Sequence, residues 1–216
     1  MQKGWKLFSL SLCLTAVFLL WTIALCTVDV QSIGPQETSV GLAAVNAAAH
    51  KYLGTNMGLY HLTDLLSVIP FGFAAGFALL GLKQWIMRKS LRRVDGSLLL
   101  LGCFYIAVAA VYLFFERNII NYRPVLIEGR LEVSYPSSTT MLILCIMPTA
   151  AMQLCERIPS RAVKAISVGA SCAYSFFMVV GRVLSGVHWI SDIVGAILLS
   201  AALVAMYAAA VRIAKK

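Results

Sequence analysis

The stretch Ser97-Leu-Leu-Leu-Leu-Gly-Cys-Phe-Tyr-Ile-Ala-Val-Ala-Ala-Val-Tyr-Leu-Phe-Phe115 runs for 19 residues without a charged side chain. Wound as an α-helix at ~1.5 Å per residue, it matches the ~30 Å hydrocarbon core of a bilayer. Five further runs of similar character accompany it: Trp5–Val28, Leu59–Leu82, Ser137–Leu154, Ala162–Leu184 and Trp189–Val211. Runs this long and this uniformly apolar exclude barrel strands, which alternate in character and need only ~10 residues. The chain is therefore expected to be all-α, a polytopic membrane protein built as a bundle of six transmembrane helices. Its 216 residues are 60% hydrophobic and 12% charged, with mean hydropathy +0.84, which excludes an ordinary water-soluble domain. The longest piece outside the runs, residues 29–58, is too short for a separate soluble domain, so residues 1–216 read as a single membrane domain.

Lys and Arg number 18 against nine Asp and Glu, for a net charge of +9. In a membrane protein the placement of charge matters more than its sum. Lys3, Lys6, Lys83, Arg88, Lys89, Arg92, Arg93, Arg157, Arg161, Lys164, Arg212, Lys215 and Lys216 fall on the side of both termini, 13 in all. The other side receives five: Lys51, Arg117, Arg123, Arg130 and Arg182. The positive-inside rule then puts both termini in the cytoplasm, and a bacterial inner membrane is the expected location. The basic excess reads as a topology signal. It lacks the interleaved aromatics that would argue for nucleic acid, so the expected partner is the lipid bilayer and no nucleic acid is expected.

The first run begins with basic residues, but an apolar stretch reaching Val28 is longer than a cleaved signal peptide, and it is expected to be a retained span. Cys13, Cys26, Cys103, Cys145, Cys155 and Cys172 lie in or at the ends of runs without metal-type spacing, and read as small hydrophobes. Gly72 and Gly76, four apart, and the Ala-rich last run are signals for close helix packing. Pro70 and Pro148 mark places where helices can kink. The Ala-rich stretch Gly41–Leu53 suggests a short helix on the outer surface, with His50 and Lys51 solvated.

Chemistry concentrates in two segments on the side away from the termini, residues 116–137 and 182–192. His188 and Asp192 are four apart, which puts both on one helical face. There Asp192 can hold one imidazole nitrogen and leave the other as a lone pair, the form a nucleophile or base requires. An interfacial ion pair would use the same spacing. In the other segment Tyr135-Pro136-Ser137-Ser138-Thr139 opens the fourth run with residues that favour a helix start. A helix N-terminus is a natural anion site, and Arg123 and Arg182 offer planar forks suited to phosphate oxygens. A nucleophilic His with two Arg and a helix tip describes phosphoryl transfer.

On these residues the sequence resembles the membrane branch of the type 2 phosphatidic acid phosphatase family, which shares its site with vanadium haloperoxidases. The family patterns are Lys-x6-Arg-Pro, Pro-Ser-Gly-His and Ser-Arg-x5-His-x3-Asp. The third is met by Arg182, His188 and Asp192, with Gly181 in place of the leading Ser. The resemblance implies that His188 attacks phosphorus to form a phosphohistidine, that Asp192 holds it, and that Arg123, Ser137, Ser138 and Arg182 bind phosphoryl oxygens, with no metal and no cofactor.

Two positions depart from the family. Glu116 stands where the Lys is expected, and Ser138-Thr139 replace the Gly-His that carries the general acid. Arg117, one residue on, or Arg130 in the connecting loop could restore the charge, but a one-residue shift turns a helical side chain by about 100°. A missing acid matters most for an alkoxide leaving group. A diphosphate, whose leaving group is a phosphate monoester with a pKa near ~6, needs less help. The expected substrate is therefore a lipid phosphate or diphosphate, with an isoprenoid diphosphate such as undecaprenyl diphosphate favoured. His61 and Asp64, three apart near the outer end of the second run, are the alternative source of an acid, or else a structural interhelical pair. The competing readings are a catalytically silent family member that shelters a lipid phosphate, a lipid phosphotransferase using the same intermediate, and a transporter or channel, for which the lack of a visible internal repeat and of charges deep in several spans is unfavourable.

Overall fold

The computed structural model describes residues 2–214. Lys215 and Lys216, counted above among the charges near the termini, lie outside the described residues. In chain order the helices are α1 (Gln2–Thr27), α2 (Ala43–Leu53), α3 (Met57–Leu66), α4 (Val68–Arg88), α5 (Gly96–Arg117), α6 (Ser138–Arg157), α7 (Arg161–Ser185) and α8 (Ile190–Ala214). Among the described residues, six helical stretches are long and apolar enough to cross a membrane: α1, α3 and α4 taken together, α5, α6, α7 and α8. Among the described residues there is no strand, only isolated bridges.

The second span departs most from its expectation, covering Met57–Arg88 and breaking between Leu66 and Val68. Pro70 explains the break. It has no N–H to offer the carbonyl four residues back, and Tyr174 of α7 donates its hydroxyl to that Leu66 oxygen at 2.8 Å instead. Pro148 sits inside an unbroken α6.

α1 lies along α8, fixed by Ser11 Oγ donating to Ala202 O at 2.8 Å. α6 and α8 form the interior, and the alanines Ala196, Ala202, Ala205, Ala208 and Ala209 are buried there, as the Ala-rich run led one to expect. The glycines of α4 behave differently. Neither Gly72 nor Gly76 has an atom within 4 Å of where a Cβ would stand, and both line a groove of about 440 Å³ between α4 and α6, rather than a close helix contact. At the end carrying the termini, Asp95 receives Arg88 at 3.1 Å and Arg157 at 3.7 Å, which ties together the loops on that side.

At the opposite end lie residues 28–56, 118–137 and 186–189. The second of these folds back as a hairpin. Tyr122 pairs with Val133, Arg123 N–H donates to Glu132 O at 3.0 Å and Ser134 N–H to Asn121 O at 2.9 Å. Tyr135 then anchors the entry to α6: its hydroxyl meets Thr22 Oγ1 at 2.6 Å, and its ring lies so close to Gly195 that a Cβ there would fall 2.5 Å from it. α7 ends at Gly186 in the left-handed region (φ 63°), packed so tightly on Gly54 O that only glycine fits.

α2 does form over Ala43–Leu53, yet it is stapled to α8 rather than loosely laid on a surface. Asn46 Nδ2 reaches Ser191 Oγ at 2.9 Å, and Ser191 N–H donates back to Asn46 Oδ1 at 3.2 Å. Lys51 is exposed as expected. His50 corrects its expectation. It packs on Trp189 with ring centroids 5.6 Å apart and a buried Nδ1, and burial pushes its pKa below the ordinary imidazole value.

Candidate active site

Four charged or titratable side chains are buried together at this end: Arg123, Arg182, His188 and Asp192, between 0% and 8% exposed. Asp192 occupies the first turn of α8, where its Oδ2 accepts the N–H of Trp189 at 3.0 Å and so caps the helix that carries it. Its Oδ1 accepts Asn121 Nδ2 at 3.0 Å from the hairpin. Each carboxylate oxygen is thus held, as a buried charge requires.

The expected direct contact between His188 and Asp192 is replaced by a bridge. Nδ1 and Oδ2 are 4.0 Å apart, too far for a hydrogen bond. Ser134 fills the gap, with Oγ 3.0 Å from His188 Nδ1 while donating to Asp192 Oδ2. The sequence suggests one shared helical face, but His188 lies in the non-helical link before α8, which begins at Ile190, and a hydroxyl stands between it and Asp192.

His188 Nε2 is buried with no protein partner. Arg182 Nε and Arg123 Nη1 are in the same condition. Unpaired buried polar atoms, here two guanidinium donors and one imidazole nitrogen, cost on the order of 1–3 kcal/mol each. Three such atoms belong to side chains buried at this one end of the bundle. Burial, with both arginines close by, pushes the His188 pKa well below its usual value, so the imidazole is neutral at neutral pH.

Each arginine also has an acidic neighbour at the rim. Arg123 Nε lies 3.1 Å from Glu132 Oε2, and Arg182 Nη2 lies 3.4 Å from Asp64 Oδ1. Tyr60 stacks against both guanidinium groups, 5.1 Å from that of Arg182 and 5.7 Å from that of Arg123. Thr63 Oγ1 accepts from Arg182 Nη1 at 3.4 Å. Tyr60, Thr63 and Asp64 all come from α3, so the broken second span closes one wall of the cluster.

His61 and Asp64 are thereby separated in role: Asp64 reaches the cluster as an interhelical ion pair, whereas His61 is exposed with its ring against Tyr60. Thr139 is inside, accepting from Arg182 Nη2 through its hydroxyl. Ser137 caps α6, but its hydroxyl donates to Thr140 Oγ1 at 3.0 Å and its N–H to Asp192 O at 3.2 Å. Neither donor is turned toward the arginines, so the helix-end donors are the N–H groups of the turn beyond it. Ser138 lines a small cleft shared with Glu116 and Ser134. Glu116 and Arg117 are exposed at the end of α5, and Arg130 is exposed at the hairpin tip, outside the buried cluster.

Gly181, where the family has Ser, has a local cause. A Cβ there would come within 2.6 Å of Thr63 Cγ2, so the close approach of α3 to α7 requires glycine. Sequence reading missed Ser134, Asn121, Glu132, Tyr60 and Thr63. Asn121 and Ser134 flank the Arg-Pro and Pro-Ser motifs, and that proximity is the one signal the sequence offered.

Fold and site together define a helical protein with six spans long and apolar enough to cross a membrane and a buried His–Ser–Asp chain beside two buried arginines. Residues 114–215 match the profile of the PAP2 superfamily, so the motif resemblance is met by an independent comparison over a little less than half of the chain, the part that holds His188, Asp192 and both arginines. The fold is that of a membrane PAP2 protein. A crystal structure described as that of the first transmembrane PAP2-type phosphatidylglycerolphosphate phosphatase from Bacillus subtilis is similar, with a TM-score of 0.64 and 18% sequence identity over 95% of this chain and 96% of that one. No curated protein matches the chain significantly.

Proposed function

We propose that the protein is an integral membrane lipid phosphatase that hydrolyses a lipid phosphate or diphosphate, preferably an isoprenoid diphosphate, at the extracytoplasmic face through a phosphohistidine. The observation that carries this reading is the convergence of His188 Nε2, Arg123 Nη1 and Arg182 Nε, all buried and all without protein partners. A phosphoryl group set among them satisfies all three. The lone pair of Nε2 forms the N–P bond as the P–O bond to the leaving group breaks, and the leaving oxygen takes that electron pair. Water then attacks phosphorus and gives its proton to solvent, the N–P bond returns its electrons to Nε2, and phosphate departs. The arginines stabilise the equatorial charge at both stages.

The diphosphate preference rests on Thr139. Its hydroxyl is engaged by Arg182 and is far too weak an acid to protonate an alkoxide at neutral pH, so a leaving group that departs as a phosphate is favoured. A groove of about 300 Å³ lined by Phe71, Ala109, Tyr112, Thr139 and Leu142 runs from this residue between α4 and α5, and offers an apolar path for the lipid chain. The extracytoplasmic assignment rests on the basic residues, which gather at the end away from the site.

The Bacillus subtilis neighbour is described as a phosphatidylglycerolphosphate phosphatase, which makes that monoester the natural comparison. Purified protein in detergent should release phosphate from an isoprenoid diphosphate faster than from phosphatidic acid or phosphatidylglycerol phosphate, and His188→Ala should release none. Thr139→His should raise phosphatidic acid hydrolysis more than diphosphate hydrolysis; equal gains would refute the leaving-group argument. Binding of all three lipids without turnover would instead favour a silent lipid-phosphate binder, the reading that Glu116 and Thr139 support.

A further inference from the structure

We infer that Ser134 is a positioning residue of the catalytic site, a hydroxyl relay that joins Asp192 to His188 and fixes the imidazole with its lone pair on Nε2. The inference rests on the phosphatase reading for its consequence in turnover, but its geometry stands without it. The two residues named by the motif do not touch. Their nearest approach is 4.0 Å, and the Ser134 oxygen lies between them.

A serine hydroxyl carries one proton. Asp192 Oδ2 can only accept, being ionised and already receiving the Trp189 N–H, so the Ser134 proton points to Asp192. What remains for His188 is the oxygen lone pair, and Nδ1 must therefore carry hydrogen and donate to it. A neutral imidazole with hydrogen on Nδ1 has its lone pair on Nε2, the atom that is buried without a protein partner. No proton needs to move along the chain. When the N–P bond forms and the ring becomes cationic, Nδ1–H strengthens its bond to Ser134, which is polarised in turn by the carboxylate.

The placement is held from several sides. Ser134 is 2% exposed, its N–H is bound to Asn121 O at 2.9 Å, and the Asn121 side chain grips the other oxygen of Asp192 at 3.0 Å. The hairpin therefore delivers acceptor, carboxylate clamp and Arg123 as one unit, 54 residues away in sequence from the histidine it orients.

Ser134→Ala removes the relay and leaves Nδ1–H facing a gap too wide for Asp192 to close. With an isoprenoid diphosphate as substrate, kcat should fall by about 10- to 100-fold while KM stays within about twofold, since the arginines still bind the phosphoryl group. Ser134→Thr retains the hydroxyl and should restore most of kcat; Ser134→Cys, should the extra methyl prevent folding, should give an intermediate value. Alanine kcat within threefold of wild type, or a KM increase in place of a kcat loss, would overturn the relay. So would a hydroxyl-bearing, folded variant as slow as alanine. The independent readout is the imidazole ¹⁵N shift of His188 in the full-length protein in detergent: hydrogen on Nδ1 in wild type and a mixed tautomer in Ser134→Ala. Wild-type protein that hydrolyses no substrate yet shows the Nδ1–H tautomer and its loss in alanine would defeat the phosphatase reading and leave the relay standing. Nε2–H in wild type would defeat the relay whatever the turnover.

Discussion

Replacing Arg182 by lysine keeps the charge and removes the fork, which makes it a direct probe of the proposal that this residue holds a phosphoryl group. The guanidinium is 1% exposed, donates to Thr139, lies 3.4 Å from both Thr63 and Asp64, and leaves Nε unpaired toward the pocket. A planar group can serve these neighbours with one edge and phosphate with another; an ammonium on a flexible stem must choose. The substitution should therefore cost one charge-assisted hydrogen bond to the phosphoryl oxygens, about 1.5–3 kcal/mol. That corresponds to a loss of roughly 10- to 150-fold in kcat/KM. The assay is phosphate release at sub-saturating isoprenoid diphosphate, with the melting temperature measured in parallel to separate binding loss from unfolding. A folded lysine variant within threefold of wild type would show that Arg182 supplies charge alone, and the fork argument would be wrong.

Other expectations follow from the same geometry. Because burial and the two arginines lower the His188 pKa, the folded protein stays neutral at this residue below 6.5, while the unfolded chain takes up a proton there. The stability that His188 contributes should thus decline as pH falls below about 6.5, and C2-hydrogen exchange of His188 followed by mass spectrometry should titrate well below that value; a midpoint near 6.5 would contradict the burial. Gly181→Ala pushes a methyl to 2.6 Å from Thr63 Cγ2, so a loss of about 1–3 kcal/mol in stability is expected. Thr63→Ser, which removes the opposing methyl, should recover most of it in the double variant. An alanine variant that melts with wild type would show that α3 and α7 do not approach as described.

The bundle was legible because a bilayer leaves the backbone few options. Apolar length alone placed the six spans within a few residues of most observed ends; Pro70 marked the break near Ser67, whereas Tyr174, which donates to the freed Leu66 carbonyl, is a tertiary partner that no local pattern announces. Gly72 and Gly76 misled for a related reason: small residues permit close packing without compelling it, and here they border a groove. Arg182, His188 and Asp192 were singled out by their spacing from the end of α7 to the start of α8, and the structure buries all three. Ser134, Tyr60 and the division between Asp64 and His61 were not, since each depends on which segment the hairpin or α3 carries to the cluster. The motif named the His–Asp pair correctly as neighbours, and could not tell that a third side chain stands between them. His50 shows the same limit in reverse, an apparently solvated residue drawn under cover by Trp189.

Rapid quenching of the protein with an isoprenoid diphosphate radiolabelled at the terminal phosphorus tests the covalent step at its source. Label should appear on the peptide containing His188, stable to alkali and lost in acid, and both label and turnover should vanish in His188→Ala. Label on another residue, or phosphate release that persists without the imidazole, would contradict the proposal that this buried nitrogen attacks phosphorus.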